Sequence, residues 1–496
     1  MSFDTRILRE ERTGLVLDFS AAPPIEAMLA GPMSTALAAM ERLEAGAIAN
    51  ADEDRMVGHY WLRAPGRAPR PEISQAIEEV HRRLQALDPG ERDRVLLIGI
   101  GGSALGPMLV DDCLRSGADR ARLSILDNTD PDGFARVLQG VDPRRTLAVV
   151  ASKSGGTVET ANGMLAARAW WAERGQDWAS SAIAVTGEGS TLDRLARSEG
   201  WSLRFPMWDW VGGRTSVTGP VGLVPMALQG QDWRGLLAGA AAMDEATREP
   251  AAQNPAAWLA AAWFAAGEGR GERSLVVLPY RDRLTLLSRY LQQLVMESLG
   301  KRLDRDGRVV QQGLTVYGNK GSTDQHAFVQ QVRDGRDDVF VHFVEATDPG
   351  VAPCPGVDGR DASDHLLGFL YGTREALSQA SRPSLCLRVP RVDAAALGAL
   401  IALFERAVGL YAELINVNAY HQPGVEAGKR AATETLAALG RLQDSLSADS
   451  HAAATLAQRA GVEPVLAWRL LEHLAATGKA RRQAGSSPSL DRFSLP

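Results

Sequence analysis

Runs of four to six aliphatic residues recur along the middle of the chain, each closed by a turn signal and followed by helical spacing. Val95–Ile100, Leu123–Leu126, Leu147–Ala151 and Ala182–Thr186 form one series; Leu275–Leu278, Leu314–Tyr317, Val339–Val344 and Leu385–Val389 form another. Apolar runs without polar alternation predict strands covered on both faces, and their alternation with helices predicts parallel sheets. The fold class expected is therefore α/β, with two α/β/α sandwich domains over residues 91–250 and 251–440 and helical segments at both ends. Residues 1–90 read as a helical N-terminal segment, interrupted by a Pro/Gly/Arg-rich break at Ala64–Pro71. The second domain closes with helices over Ala394–Val417 and Val425–Leu439. Beyond Gly440, Arg441–Ser450 reads as a polar linker and residues 441–496 as a small, winged-helix-like appendage.

Composition narrows the classes of function. The 496 residues are 45% hydrophobic, enough for sizeable cores in two or three domains. The 54 basic and 60 acidic residues leave a net charge of −6, so no global field draws nucleic acid or an anionic membrane, and an anionic ligand needs a local site. In the appendage, Arg469 stands beside Glu472 and an apolar stripe of Leu466, Leu470 and Leu474, which is no basic recognition face. Cys113, Cys354 and Cys386 are few, scattered and odd in number; they offer neither a disulfide framework nor metal-ligand spacing, and suit a reducing compartment. Met1–Glu11 has no apolar core of a secretion signal, and Ala256–Ala266 is too short to span a bilayer. The expectation is a cytoplasmic protein with no membrane or nucleic-acid partner.

In open α/β sheets, ligands sit beyond the carboxyl ends of the strands, so the loops after the apolar runs should carry the chemistry. Gly99-Ile100-Gly101-Gly102-Ser103-Ala104-Leu105-Gly106-Pro107 follows the first run. Its glycines allow a sharp turn and close approach of backbone to ligand, but its spacing fits neither a dinucleotide fingerprint nor a P-loop. Ser152-Lys153-Ser154-Gly155-Gly156-Thr157-Val158-Glu159-Thr160 follows the third. A helix cap needs one hydroxyl; this stretch supplies several, with two glycines at a helix start, which suits a phosphate monoester.

Four further stretches complete a pattern: Gly212-Gly213-Arg214-Thr215-Ser216, Met296-Glu297-Ser298-Leu299-Gly300-Lys301, Gly321-Ser322-Thr323-Asp324-Gln325-His326-Ala327-Phe328 and Gln422-Pro423-Gly424-Val425-Glu426-Ala427-Gly428-Lys429. In order and spacing, from about residue 90 to 435, the six together resemble the glucose-6-phosphate isomerase family. The resemblance implies sugar-isomerase domains, a site between them, and reversible interconversion of glucose 6-phosphate and fructose 6-phosphate through an enediolate, without metal or other cofactor.

That chemistry opens a sugar ring, removes a proton beside a carbonyl and returns it to the neighbouring carbon. It calls for a carboxylate base, a proton shuttle and a cation. Glu297 is the expected base. On a helix over Leu284–Leu299 it flanks the apolar stripe of Leu287, Leu291, Leu294 and Val295, with Gln293 one turn earlier on the same side. His326, in a polar loop, supplies an imidazole, the side chain suited to passing a proton to or from a sugar oxygen. Arg214 is a permanent cation suited to enediolate oxygens. By resemblance, Lys429 joins His326 in ring opening, while Gly102, Ser103, Ser152, Lys153, Ser154, Thr157 and Gln293 bind substrate. The resemblance also implies a homodimer in which the histidine serves the neighbouring subunit's site.

Three positions depart from the family pattern. Ser154-Gly155-Gly156 stands where many relatives carry Thr-Phe-Thr, Thr215 replaces a tyrosine, and Pro423 replaces a tryptophan. These bear on sugar selectivity, mannose 6-phosphate included. The rival readings are an isomerase of another sugar phosphate and a non-catalytic sugar-phosphate sensor. Every assigned motif lies upstream of Gly440, which predicts that the remaining residues are dispensable.

Overall fold

A computed structural model describes residues 6–496, apart from the side chains of Glu426 and Ala427. The apolar runs become central strands. In chain order the strands are β1 (Ile7–Arg9), β2 (Val16–Asp18), β3 (Arg94–Ile98), β4 (Arg122–Leu126), β5 (Thr146–Ser152), β6 (Ala182–Thr186), β7 (Leu203–Pro206) and β8 (Ser274–Pro279). There follow β9 (Lys301–Leu303), β10 (Val309–Gln312), β11 (Val316–Tyr317), β12 (Val339–Ala346) and β13 (Ser384–Val389). Contacts divide the chain into two units, residues 1–421 and 422–496.

Among the described residues, the first unit holds two large sheets and a two-stranded antiparallel ribbon of β9 and β10. One has the order β4-β3-β5-β6-β7 and is parallel throughout. The other has the order β1-β2-β13-β12-β8-β11; its β13, β12, β8 and β11 are parallel, with β2 and β1 added antiparallel at one edge. Every residue of β5 and β12 is buried, as strands covered on both faces require. Helix Ala394–Leu414 is long and apolar enough to cross a membrane, yet 89% of its apolar window is buried in the fold. It shares one core with helix Trp233–Ala246 through residues such as Leu397, Ile401, Leu236 and Met243.

The N-terminal segment is not the helical one that the sequence predicts, because it also holds strands. Its hairpin β1–β2 extends the second sheet, with Leu17 fully buried opposite Leu387. Strands of three residues are too short to display a period, so the sequence carried no signal for them. The sequence also places a linker at Arg441–Ser450, but helix Pro423–Ser445 runs through the first half of it. That helix belongs with the second unit. There Ala438, Leu442 and Leu446 share a core with Leu456 of helix Ala453–Ala460, Leu471 and Leu474 of helix Pro464–Ala476, and Phe493. A three-stranded antiparallel sheet of His451–Ala452, Arg481–Gln483 and Arg492–Ser494 completes a helix-turn-helix and wing arrangement.

Candidate functional site

β3 and β5 are parallel neighbours in register from Arg94↔Thr146 to Ile98↔Val150, so the loops that follow them leave the same edge of the sheet. After β5 the chain folds into a hydroxyl-lined cradle. Ser152 Oγ donates to Thr157 Oγ1 at 3.2 Å, the Gly155 N–H donates to Ser152 Oγ at 3.2 Å, and the Gly156 N–H donates to Ser154 Oγ at 3.2 Å. Gly155 takes φ +71°, and a Cβ there would strike the Leu192 backbone, so no other residue fits without strain. Thr157 is the N-cap of helix Val158–Glu173, but its side chain accepts no bond from that helix. First-turn amides are thus left without a side-chain acceptor at the positive end of the helix dipole. Lys153 is used differently from expectation: its ammonium donates to the carbonyls of Asp209 (3.0 Å) and Val211 (3.2 Å) and so ties the cradle to the chain leading into Arg214.

After β3 the glycine loop meets two other elements. The space a Cβ would fill at Gly102 is taken by the carbonyl of Gly213, and the Ser216 hydroxyl donates to the carbonyls of Gly102 (3.3 Å) and Gly213 (2.8 Å). Gln293 Nε2 lies 3.1 Å from where a Cβ on Gly101 would be. Ser103 is the second residue of helix Gly102–Leu114, which starts on this loop. The structure therefore brings Gly102, Ser103, Arg214 and Gln293 to one place.

Arg214 and Glu297 form the centre. Arg214 lies on the 3-10 turn Gly213–Thr215 and is 7% exposed. Its Nη1 is 3.2 Å from Glu297 Oε2, its Nε donates to Ser298 Oγ at 2.9 Å, and its Nη2 donates to the Ala419 carbonyl at 2.7 Å. Burial pulls the guanidinium below its ordinary value while Glu297 opposes the shift. The helix expected over Leu284–Leu299 is not uniform: Leu287–Leu291 is α-helical and Gln292–Glu297 is a π-helix. The wider π-turn still buries Leu294 and Val295, and it carries both Gln293 and Glu297.

His326 ends the 3-10 turn Thr323–His326, held by buried Asp324, whose carboxylate accepts the N–H groups of Asn319 (2.9 Å) and Lys320 (3.1 Å). The His326 ring is exposed. Lys429 is exposed on helix Pro423–Ser445 of the second unit.

Against known proteins, the family model described as phosphoglucose isomerase matches residues 32–381 and 373–457. Curated relatives named glucose-6-phosphate isomerase include one from Geobacter sulfurreducens, 52% identical over 479 residues, covering 91% of this chain and 90% of the relative. The chain belongs to the phosphoglucose isomerase family. A relative of the same name from a Synechococcus strain is 51% identical, covering 92% of this chain and 90% of its own. Among solved structures, a glucose-6-phosphate isomerase from Chlamydia trachomatis aligns at TM-score 0.81 with 27% identity, over 88% of this chain and 90% of that one.

Two residues of this phosphoglucose isomerase-family chain escaped the sequence reading. Lys301, 4% exposed, donates from its ammonium to the carbonyls of Glu297 (2.8 Å) and Ser298 (2.7 Å), closing the end of the π-turn that carries the carboxylate. Burial, with the Arg214 charge adding to it, pulls Lys301 down to about 8. It closes the Glu297 motif in sequence, a signal available but unused. His421, directly before the Lys429 motif, lies 3.6 Å from Asp52, and its carbonyl faces Arg214 Nη2 at 3.5 Å. Asp52 accepts from Asn418 at 2.5 Å. Sequence alone gives no reason to join Asp52 to a histidine so far along the chain.

Proposed function

We propose that the protein interconverts glucose 6-phosphate and fructose 6-phosphate in the cytoplasm, as a homodimer whose two active sites each borrow a histidine from the neighbouring copy. The observation that carries the reading is the Arg214–Glu297 pair at 3.2 Å, set against the Gly102 loop beside the hydroxyl cradle of Ser152, Ser154 and Thr157. A protein that only sensed sugar phosphates would need the cradle and not this pair.

The cradle and the start of helix Val158–Glu173 hold the phosphate, an anion at a helix N-terminus. Ring opening needs a proton delivered to the ring oxygen and one removed from the anomeric hydroxyl; His326 and Lys429 take this step, by resemblance to the family. In the open aldose, the Glu297 carboxylate removes the proton from C2. The C2–H electrons form the C1–C2 double bond, and the carbonyl pair passes to O1 as an oxyanion beside the Arg214 cation. Glu297 returns the proton to C1 while the O2 proton passes to O1, leaving a carbonyl at C2. Gln293, one step along the π-turn from the base, is placed to orient the reacting hydroxyls. Lys153 acts on the cradle through its tether to Asp209 and Val211.

The exposure of His326 favours delivery to a second copy over action within its own chain. Co-refolding inactive Glu297→Gln with inactive His326→Ala tests both the chemistry and the sharing. Half of randomly paired dimers are mixed and each of these holds one intact site, so glucose 6-phosphate formation from fructose 6-phosphate should recover to about a quarter of wild type. A mixture that stays inactive would sink the shared site, and a wild-type chain with no turnover would sink the activity.

A further inference from the structure

The second sheet also ends in a cavity. About 390 Å³ opens beyond the carboxyl ends of β8, β12 and β13, walled on the far side by helix Ala362–Gln379. It is the position, on the other sheet, that corresponds to the phosphate cradle after β5, and open α/β sheets bind ligands at such edges. None of its lining residues belongs to the Arg214–Glu297 cluster.

Two arginines define its chemistry. Arg281, just past β8, donates from Nη2 to the Ala346 carbonyl at 2.6 Å, which fixes the guanidinium at the sheet edge. Its Nε is buried with no hydrogen-bond partner among the described residues. Arg388, on β13, also lines the cavity. Among the described residues, neither arginine forms an ion pair within 4.0 Å. Each carboxylate in the same wall already accepts a hydrogen bond from a neighbour. Glu345 accepts the Tyr371 hydroxyl at 2.9 Å, and Asp364 accepts the Asp361 N–H at 3.2 Å in the cap of its own helix. A buried guanidinium N–H without an acceptor is unfavourable unless a ligand supplies one. Thr347 and Ser363 add hydroxyls to the lining.

We infer that this cavity is a second ligand site, distinct from the isomerase site, that takes a phosphomonoester of a small polyol or sugar. Arg281 and Arg388 grip the phosphate in the forked geometry that guanidinium groups make with such oxygens. Thr347, Ser363 and the free oxygen of the Glu345 carboxylate meet the ligand's hydroxyls.

Sorbitol 6-phosphate tests this, because it has no carbonyl and cannot isomerise. Titrated calorimetrically into the full-length protein, it should bind at two equivalents per chain. Arg281→Gln and Arg388→Gln should each weaken one class of site roughly tenfold or more, the loss expected for a charge-assisted hydrogen bond. Both variants should leave turnover of fructose 6-phosphate unchanged. Inorganic phosphate should bind the same class of site at least about tenfold more weakly than sorbitol 6-phosphate, since it lacks the hydroxyls. One equivalent in the wild type, or two equivalents undiminished in both variants, overturns the site; equal affinity for the two probes overturns recognition of the polyol. If Arg281→Gln does not fold, Arg388→Gln decides alone, because no side-chain hydrogen bond of Arg388 holds the fold among the described residues. The readout is binding, so a chain without isomerase turnover that still binds at Arg388 keeps this inference while losing the proposed activity.

Discussion

Gly102→Ala should damage catalysis far more than a single methyl group suggests. The added Cβ would stand 2.0 Å from the carbonyl oxygen of Gly213 and 2.9 Å from its Cα, all backbone. A carbon normally approaches a carbonyl oxygen no closer than about 3.3 Å, so the two loops must part by roughly 1.3 Å. No side chain can yield instead. The Gly213 side of that contact carries Arg214, and the Gly102 side begins helix Gly102–Leu114. Parting them moves the cation relative to the glycine loop. Overpacking of this kind costs about 1–3 kcal/mol of stability. A misplacement near 1 Å at reacting groups costs about a hundredfold in rate. The isomerase assay coupled to glucose 6-phosphate oxidation should therefore show kcat/KM down about a hundredfold, with a thermal midpoint lowered by a few degrees. Gly117→Ala is the control, since a Cβ there meets nothing within 4 Å. If Gly102→Ala keeps wild-type kcat/KM, the close packing of the two loops does not set the active geometry.

Thr157→Val should raise KM more than it lowers kcat, because phosphate is held alike in ground and transition states, whereas Glu297→Gln should lower kcat by roughly 10²–10⁴. Equal effects on both parameters in both variants would undo that division. Wild-type kcat should fall on an alkaline limb near pH 8 as the Lys301 ammonium loses its proton and its hold on the Glu297 and Ser298 carbonyls. Because that ammonium is depressed in the fold relative to about 10.4 in the unfolded chain, the unfolded state binds the extra proton between about 8 and 10.4, and stability should rise with pH across that window. Lys301→Met should lower kcat and remove both effects, and an unaltered pH profile in the variant would refute the assignment. Deleting residues 446–496 should abolish activity by roughly a hundredfold or more, contrary to the expectation from motif positions alone. The deletion strips Leu456, Leu471 and Phe493 from Ala438 and Leu442, and helix Pro423–Ser445 carries Lys429. Loss of helical circular dichroism with lost turnover is the expected pair of readings, and an active deletion would refute it.

The central strands were legible because burial on both faces leaves an unbroken apolar run, and Ala182–Thr186 coincides with its strand. What was not legible had little local signature. Leu203–Pro206 alternates in character and ends in proline, as an edge strand permits, so nothing marked it as part of the sheet. The strand Val16–Asp18 depends on pairing with β13 far along the chain, and Ile7–Arg9 joins the sheet only through it. The π-turn over Gln292–Glu297 is invisible too, since its residues have the same apolar spacing an α-helix would show.

The site divides along the same physical line. Arg214, Glu297, Gln293 and the cradle residues could be named as expected site residues because their chemistry shows in residue type and they fall in motifs whose order resembles the family's. Lys153 had the right type and the right place, yet its ammonium is taken by two carbonyls, a competition decided by tertiary packing. Lys301 is the converse: its sequence position looked like the end of a motif, and only its bonds to the Glu297 and Ser298 carbonyls give it a role. Arg281 and Arg388 make the point most strongly. Each is one arginine among many, and the feature that matters is a buried N–H without an acceptor among the described residues, beside a second arginine. Residue type and spacing thus identify groups whose task is chemical. A group whose task depends on which neighbours are already hydrogen-bonded becomes visible only when those bonds can be counted.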